Sequence, residues 1–289
     1  MSQQIVWPME TGSKGWLAPG KLLALRAIAW AVLLFALLFG FMLAAVLGAS
    51  WLSLPNGWYT AFAIIVPLLA VLAYMGLVRL VEKRPATELG LRPTPWLELG
   101  TGTIAGVVFV GATLLLLLVL GLYHTGLGHP TGEAALRSLI FNTYISAVME
   151  ELAFRAALLR LLARAFGPIT GLVVSSIAFG AAHLTHGSWA AAAEIAFNGG
   201  LVMGLAYMAT GRLWMSIGLH LGWDFSEETI YGVNSGAGLL HSVPNPARDV
   251  LWTGGTYGPD GSIFAALVGA LALVILYWVY RPRLLAARV

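Results

Sequence analysis

The sequence predicts an all-α fold, a polytopic membrane bundle of about eight transmembrane helices, and three observations carry that prediction. Hydrophobic residues make up 59% of the 289 residues and charged residues 10%, against about 25% charged in an ordinary soluble domain. Long stretches contain no charge at all: no Lys, Arg, Asp or Glu lies between Arg26 and Arg79, between Glu98 and Glu133, or between Asp260 and Arg281. The basic residues also sort to one side of the spans that these gaps define, as Lys and Arg do in cytoplasmic loops.

The spans follow in order, since a bilayer core of about 30 Å needs about 20 apolar residues per helix. The first charge-free gap is interrupted by Ser53-Leu54-Pro55-Asn56-Gly57 and reads as two spans, about 22–50 and 58–81. The second supplies a span at about 98–122 and the third one at about 262–280. Between them, ionisable residues interrupt the apolar runs. Breaks at Gly167-Pro168, His186-Gly187-Ser188 and Thr210-Gly211-Arg212 divide this region into helices at 134–164, 168–186, 189–210 and 213–231. The first span is longer than a signal-peptide apolar region and lacks a clean small-residue cleavage site, so it reads as a retained helix.

With eight spans and both termini cytoplasmic, Lys14, Lys21, Arg26, Arg79, Lys83, Arg84, Arg92, Arg160, Arg164, Arg212, Arg281, Arg283 and Arg288 fall on one side. Arg137 and Arg248 fall on the other, and Arg155 lies within a span. The expectation is an integral protein of the cell (plasma) membrane, its excess of basic residues explained by topology, with the lipid bilayer as a partner and no nucleic acid. Residues 1–20 read as a flexible leader and 21–289 as a single integral membrane domain with its catalytic core at 134–231. The absence of Cys excludes disulfide scaffolds, thiolate metal sites, Cys nucleophiles and S-acylation.

An ionisable side chain within a span costs roughly 2.5–3.5 kcal/mol on insertion scales and normally faces a polar interior. Here such residues cluster: Glu150, Glu151 and Arg155 in the fourth helix, His183 in the fifth, Glu194 in the sixth, His220 and Asp224 in the seventh. Glu151 and Arg155, four apart, share a helix face and can pair. Glu150 lies about 100° around the helix and keeps a free carboxylate. Arg160 and Arg164 make a solvated stripe credible at the C-terminal end of that helix. Phe179 and His183 lie one turn apart, as do His220 and Asp224, with Gly218 and Gly222 allowing a neighbouring backbone to approach. Glu194 and Asn198 share a face of the sixth helix, Glu194 reading best as an exposed helix-start residue near Ser188. Glu227 and Glu228 are expected to meet solvent or loops.

Glu150, His183 and His220 admit two kinds of site. A carboxylate and an imidazole can take a proton from a water that attacks a carbonyl while other donors hold the oxyanion. Alternatively, the two His and the carboxylate can bind Zn²⁺ and leave a fourth position to water. Both lead to peptide hydrolysis. The metal-free route is the main expectation, because two His and one uncertain carboxylate make a thin ligand set. A non-catalytic membrane scaffold or immunity protein could use the same cluster to bind a partner. A transporter would show paired halves with matching broken helices, and no such internal symmetry is visible.

The three stretches, Glu150-Glu151-x-x-x-Arg155, Phe179-x-x-x-His183 and His220-x-x-x-Asp224, resemble in order the motifs of the type II CAAX prenyl endopeptidase and bacteriocin-processing family, also called CPBP or Abi proteins. The resemblance covers about 134–231, and Glu88-Leu89-Gly90-Leu91-Arg92 is also similar to the family's sequences. It implies an intramembrane endopeptidase acting on a peptide or protein substrate at the membrane, prenylated or otherwise lipid-modified, with no cofactor. By the same resemblance Glu150 is the general base and His183 its partner, Glu151 and Arg155 with Phe179 support the site, and His220 and Asp224 face the substrate carbonyl. Asp224 stands where the eukaryotic branch usually has Asn. An ionised carboxylate cannot donate to an oxyanion, so Asp224 must be protonated, orient His220 or bind something else.

Overall fold

The computed structural model describes residues 7–51, 56–90, 95–184, 188–233 and 238–286. Its long helices are α1 (Leu23–Trp51), α2 (Asn56–Leu77, continued by a π-helical turn Val78–Glu82), α3 (Pro95–Val119), α4 (132–166), α5 (Pro168–Ala182), α6 (Trp189–Thr210), α7 (214–230) and α8 (Ile263–Ala286). These boundaries follow the punctuation in the sequence. Gly167 has φ 90° and Pro168 occupies the first turn of α5, where its missing N–H costs nothing. Gly211, at φ 70°, ends α6 in the left-handed conformation. The breaks expected at 53–55 and at 186–187, with His186 and Arg92, lie outside the described residues.

Among the described residues, five helical stretches are long and apolar enough to cross a bilayer: Leu23–Ala44, Thr60–Glu82, Pro95–Val119, Trp189–Thr210 and Ile263–Pro282. Pro168–Ala182 is a shorter apolar helix, while α4 and α7 carry the buried acidic and basic groups. The chain is thus a polytopic helical membrane protein. Within its spanning window α6 is 61% buried and α8 only 17%, which places α6 at the centre of the bundle and α8 on its rim. Exposed apolar side chains such as Val32, Leu33, Leu72, Val108, Leu115, Ile177, Leu267 and Ile275 form the outer belt, suited to hydrocarbon because a helix satisfies its backbone polar groups within its own segment.

Helices α3 and α7 pack backbone to backbone along a seam of small residues. A Cβ on Gly102 would sit 3.0 Å from the Gly218 Cα, and one on Gly222 3.0 Å from the Thr103 Cα, so glycine spacing on both helices sets their separation. That contact fixes the register of α7 and hence the height of His220 in the bundle.

At one end, the segment after α2 is locked to α4 by a buried ionic network. Arg160 places Nη2 2.7 Å from Glu82 Oε1 and Nη1 2.8 Å from Glu82 Oε2, and Arg84 reaches Glu82 at 2.8 Å and Glu88 at 2.7 Å. Trp30 donates its indole N–H to Glu82 over 2.9 Å, and the Tyr74 hydroxyl bonds to Glu88. Burial alone would raise the Glu88 carboxyl, but Arg160 and Arg84 outweigh it and hold Glu88 below the ordinary carboxylate range. The solvated stripe expected at Arg160 is therefore corrected: the side chain is fully buried, because two carboxylates from the preceding segment complete its fork. Residues 7–20, expected as a flexible leader, are docked at this same end. Leu17 is fully buried, its carbonyl accepts from Arg164 over 2.9 Å, and Pro8 packs on Gly211.

At the opposite end, two short strands, β1 (Tyr123–Leu127) and β2 (Leu240–Pro244), pair antiparallel with Tyr123 opposite Pro244 and Leu127 opposite Leu240. The sequence reading anticipated only loops there.

Candidate active site

Glu150, Glu151 and Arg155 of α4, His183 at the end of α5 and His220 and Asp224 of α7 converge toward the strand-bearing end. On α4 the backbone changes winding between the two glutamates: Ser146–Glu150 is α-helical and Glu151–Leu159 is π-helical. Similar wide turns occur on α6 at Ala196–Val202 and on α7 at Ser226–Ile230. Such local widening redirects side chains and is found preferentially at functional sites.

Glu151 points into the protein and is fully buried. Its Oε1 lies 3.0 Å from Arg155 Nη1 and 3.0 Å from His220 Nδ1, and its Oε2 accepts from the Ser216 hydroxyl. Arg155 donates through Nη2 to the Gly199 carbonyl at 2.6 Å and lies 4.5 Å over the Phe179 ring. Phe179 is in turn held edge-on by Phe154 at 5.0 Å. Gly199 is required for this packing, since a Cβ there would fall 2.6 Å from the Phe179 ring. Arg155 thus has an anion, a carbonyl and a ring face around it, which offsets the cost of burying its charge.

Glu150 faces the other way. Its Oε1 accepts from Ser146 Oγ at 3.1 Å, while its Oε2 has no hydrogen-bond partner among the described residues and lies 3.9 Å from His183 Nε2. The sequence placed His183 inside the fifth helix; it sits instead just past the end of α5, at φ −92° and ψ 1°. There its Nδ1 bonds to the Phe179 carbonyl over 2.8 Å. A carbonyl can only accept, so Nδ1 carries a hydrogen and Nε2 is the ring nitrogen turned toward Glu150. A gap of 3.9 Å is too long for a direct hydrogen bond and suits a single bridging water.

His220 is buried between two carboxylates, with Nδ1 on Glu151 and Nε2 3.5 Å from Asp224 Oδ2. Phe179 separates the two imidazoles, its ring centroid 4.8 Å from that of His183 and 6.2 Å from that of His220. His183, His220 and Asp224 line one cavity of about 320 Å³, together with Trp223, Glu227, Glu228, Tyr257 and Asp260.

Sequence reasoning did not find Ser216, Trp223, Glu227, Glu228, Tyr257 or Asp260 as contributors to this site. Ser216 and Trp223 carry no motif signal beyond their helix face. Glu227 was expected only to meet solvent or a loop, yet it lines the cavity. Asp260, in the loop before α8, accepts from the Trp223 indole N–H at 2.8 Å; no periodicity marks a loop residue that reaches a site by tertiary folding alone. Burial raises the Asp260 carboxyl to about 6, although the indole hydrogen bond acts in the opposite direction. Burial also raises the Tyr257 hydroxyl. Glu194 and Asn198, considered as possible cavity residues, are not among its lining: Glu194 is half-buried, and Asn198 is fully buried with its Oδ1 against Gly269 of α8. Among the described residues, no three His, Asp or Glu side chains converge as a metal-binding set.

The fifth and seventh helices thus bring the second and third motifs against the first, in the order of the family they resemble. Residues 132–226 match the family model described as Type II CAAX prenyl endopeptidase Rce1-like. This segment is an Rce1-like domain. It spans α4 to the first turn past Asp224, so all three motifs fall within it, whereas Asp260 and Tyr257 lie outside. No curated protein and no solved structure matches the chain. The Rce1-like family comprises membrane endopeptidases, and the domain here is carried by a helical membrane protein with several candidate spans.

Proposed function

We propose that this protein is an intramembrane endopeptidase of the glutamate type, cleaving a peptide bond in a membrane-associated or lipid-modified substrate, in a plasma membrane with both termini cytoplasmic. The observation that carries the reading is the approach of Glu150 Oε2, which has no hydrogen-bond partner among the described residues, to His183 Nε2 at 3.9 Å. A water held there would lose its proton to Glu150 as its oxygen bonds to the peptide carbonyl carbon. The carbon–nitrogen bond would then break, with the proton delivered to the departing amine nitrogen. His183 orients the water through Nε2, its own tautomer fixed by the Phe179 carbonyl.

The opposite wall supports the role of holding the developing oxyanion. His220 presents its Nε2 edge toward Asp224 while Glu151 anchors Nδ1. Asp224 would serve as a donor in its protonated form, on the same cavity wall as Glu227, Glu228 and Asp260. Arg155, Phe179 and Ser216 act through Glu151 and the two imidazoles.

The test is N-terminal sequencing of fragments generated from a membrane proteome by the purified protein, with Glu150→Gln and His183→Ala run beside it and a chelator added in parallel. Wild type is expected to generate new N-termini with and without chelator, and both variants, although folded, to generate none. Undiminished cleavage by Glu150→Gln would sink the mechanism. Loss of wild-type cleavage on chelation would replace it with a metal-dependent one.

A further inference from the structure

The cavity lies at one end of the bundle, and the two ends differ in charge. Through the contacts that hold it, the first end gathers residues 7–26, the segment 79–90, the N-terminus of α3, the C-terminus of α4 and the turn at Gly211. Arg164 reaches the Leu17 carbonyl, Arg160 reaches Glu82, the Leu213 N–H reaches the Glu88 carbonyl and Trp214 reaches the Gly90 carbonyl. Tyr280 of α8 packs there too, against Trp7, Ala209 and Met215. The second end carries β1, β2 and the loop preceding α8, tied together by the Asn245 N–H on the Leu122 carbonyl and the Val233 N–H on the Glu227 carbonyl. His183 closes α5, whose 15 residues start at the first end and rise by about 22 Å. Val233, Thr256, Tyr257 and Asp260 complete the cavity from the second end.

Basic residues crowd the first end. Arg84, Arg160 and Arg212 are committed to Glu82, Glu88 and Glu98. Setting those three aside still leaves Lys14, Lys21, Arg26, Arg79, Lys83, Arg164 and Arg281 at that end. At the cavity end stand Arg137 and Arg248, the latter exposed beside Asp249. Membrane orientation follows the Lys and Arg bias of the segments flanking the spans, with the richer side cytoplasmic, and acidic residues contribute little to it. The pairing of three arginines therefore does not reverse the assignment.

We infer that the cavity containing His183, His220 and Asp224 opens on the extracytoplasmic face of the membrane, so that the substrate is a peptide segment presented on that face: an exported peptide or the outer flank of a membrane-anchored protein. The orientation stands on charge and geometry alone; the word substrate rests on the endopeptidase reading. The solvent path agrees with it. The His183 side chain is 25% exposed and that of Asp224 20%, and Thr256 on the cavity wall is exposed, whereas Glu82, Glu88 and Arg160 close the basic end. Water and an extended peptide reach His183 from the side that lacks the basic residues. A lipid-modified tail presented from the cytoplasm would meet the sealed ionic network instead.

The chain has no Cys, so single-cysteine labelling needs no background mutations. Full-length Ala247→Cys (outer loop), Thr256→Cys (cavity wall) and Thr87→Cys (basic end) are expressed in intact cells and treated with a membrane-impermeant maleimide, before and after permeabilisation. Labelling of Ala247→Cys and Thr256→Cys in intact cells, with Thr87→Cys labelled only after permeabilisation, is the expected result. The reverse pattern overturns the inference. If Thr256→Cys does not accumulate, Ala247→Cys and Thr87→Cys decide the orientation between them. In the fragment assay, wild-type-dependent cleavage points are expected in extracytoplasmic segments of their precursors, and points confined to cytoplasmic segments overturn the substrate assignment. Outward labelling with no wild-type-dependent fragments would keep the orientation and count against the endopeptidase reading, so the two can fail separately.

Discussion

Adjacent glutamates give the sharpest test of how this site is built, because Glu150→Gln and Glu151→Gln are the same chemical change in opposite environments. Glu151 is fully buried, with Arg155, His220 and Ser216 as partners. Removing its charge leaves the Arg155 guanidinium, with a side chain 2% exposed, with a neutral amide in place of its buried counter-ion beside the Gly199 carbonyl and the Phe179 ring. Breaking one partner out of a buried ion pair costs about 3–5 kcal/mol. In a chain of this length that lowers the melting temperature by on the order of 5–10 °C. Glu150 is less enclosed, and the hydrogen bond it accepts from Ser146 can be kept by a glutamine amide oxygen. Its replacement is expected to change stability by less than about 1 kcal/mol. Thermal unfolding of the purified proteins in detergent reads the stability difference, and the fragment assay reads activity. Glu150→Gln should melt like wild type and be inactive; Glu151→Gln should melt early and also lose activity as His220 loses its anchor. A Glu151→Gln protein that melts with wild type would refute the claim that its charge balances Arg155.

Two further outcomes are expected. Arg160→Ala should destabilise the protein by about 3–5 kcal/mol, because Glu82 and Glu88 stay buried without the guanidinium that bridges them; detergent melting or loss of expression checks it. Asp260, raised to about 6 from an ordinary value of 3.8, binds its proton more tightly folded than unfolded. The stability it contributes is therefore present at low pH and lost as pH rises through about 6. Asp260→Asn should flatten that part of the melting-temperature profile between about pH 4 and pH 6, where the unfolded and folded values bracket the loss, measured by thermal unfolding across the range, and an unchanged slope would exclude Asp260 as its source.

The helices were legible because their signals are local. Charge-free gaps, Gly167-Pro168 and Gly211 act over a few residues, and the boundaries of α1, α5, α6 and α8 lie close to those expected. The polar cluster was legible for a related reason: charge within an apolar helix is costly enough that Glu150, Glu151, Arg155, His183, His220 and Asp224 stand out without any knowledge of packing. The second partner of Glu151 was not legible. Helical spacing points to Arg155, but His220 and Ser216 arrive from a helix more than sixty residues away. Arg160 shows the limit from the other side, since near a helix end an arginine in a solvated stripe and one in a buried fork have the same sequence appearance.

By itself the sequence determined that the chain lives in a bilayer, where its helices start and stop, which end carries the basic residues and which side chains are too costly to be there without a polar partner. All of these follow from hydrophobicity, backbone chemistry and charge read along the chain. Only the tertiary structure set the 3.9 Å between Glu150 Oε2 and His183 Nε2 and brought His220 and Ser216 onto Glu151. It alone brought Asp260 and Tyr257 from the last loop into the cavity and set that cavity at the end away from the basic residues. Those facts depend on which helix faces which, and that is settled by the close approach of α3 and α7 along their glycines and by the ionic lock on α4, contacts between residues that no local pattern connects.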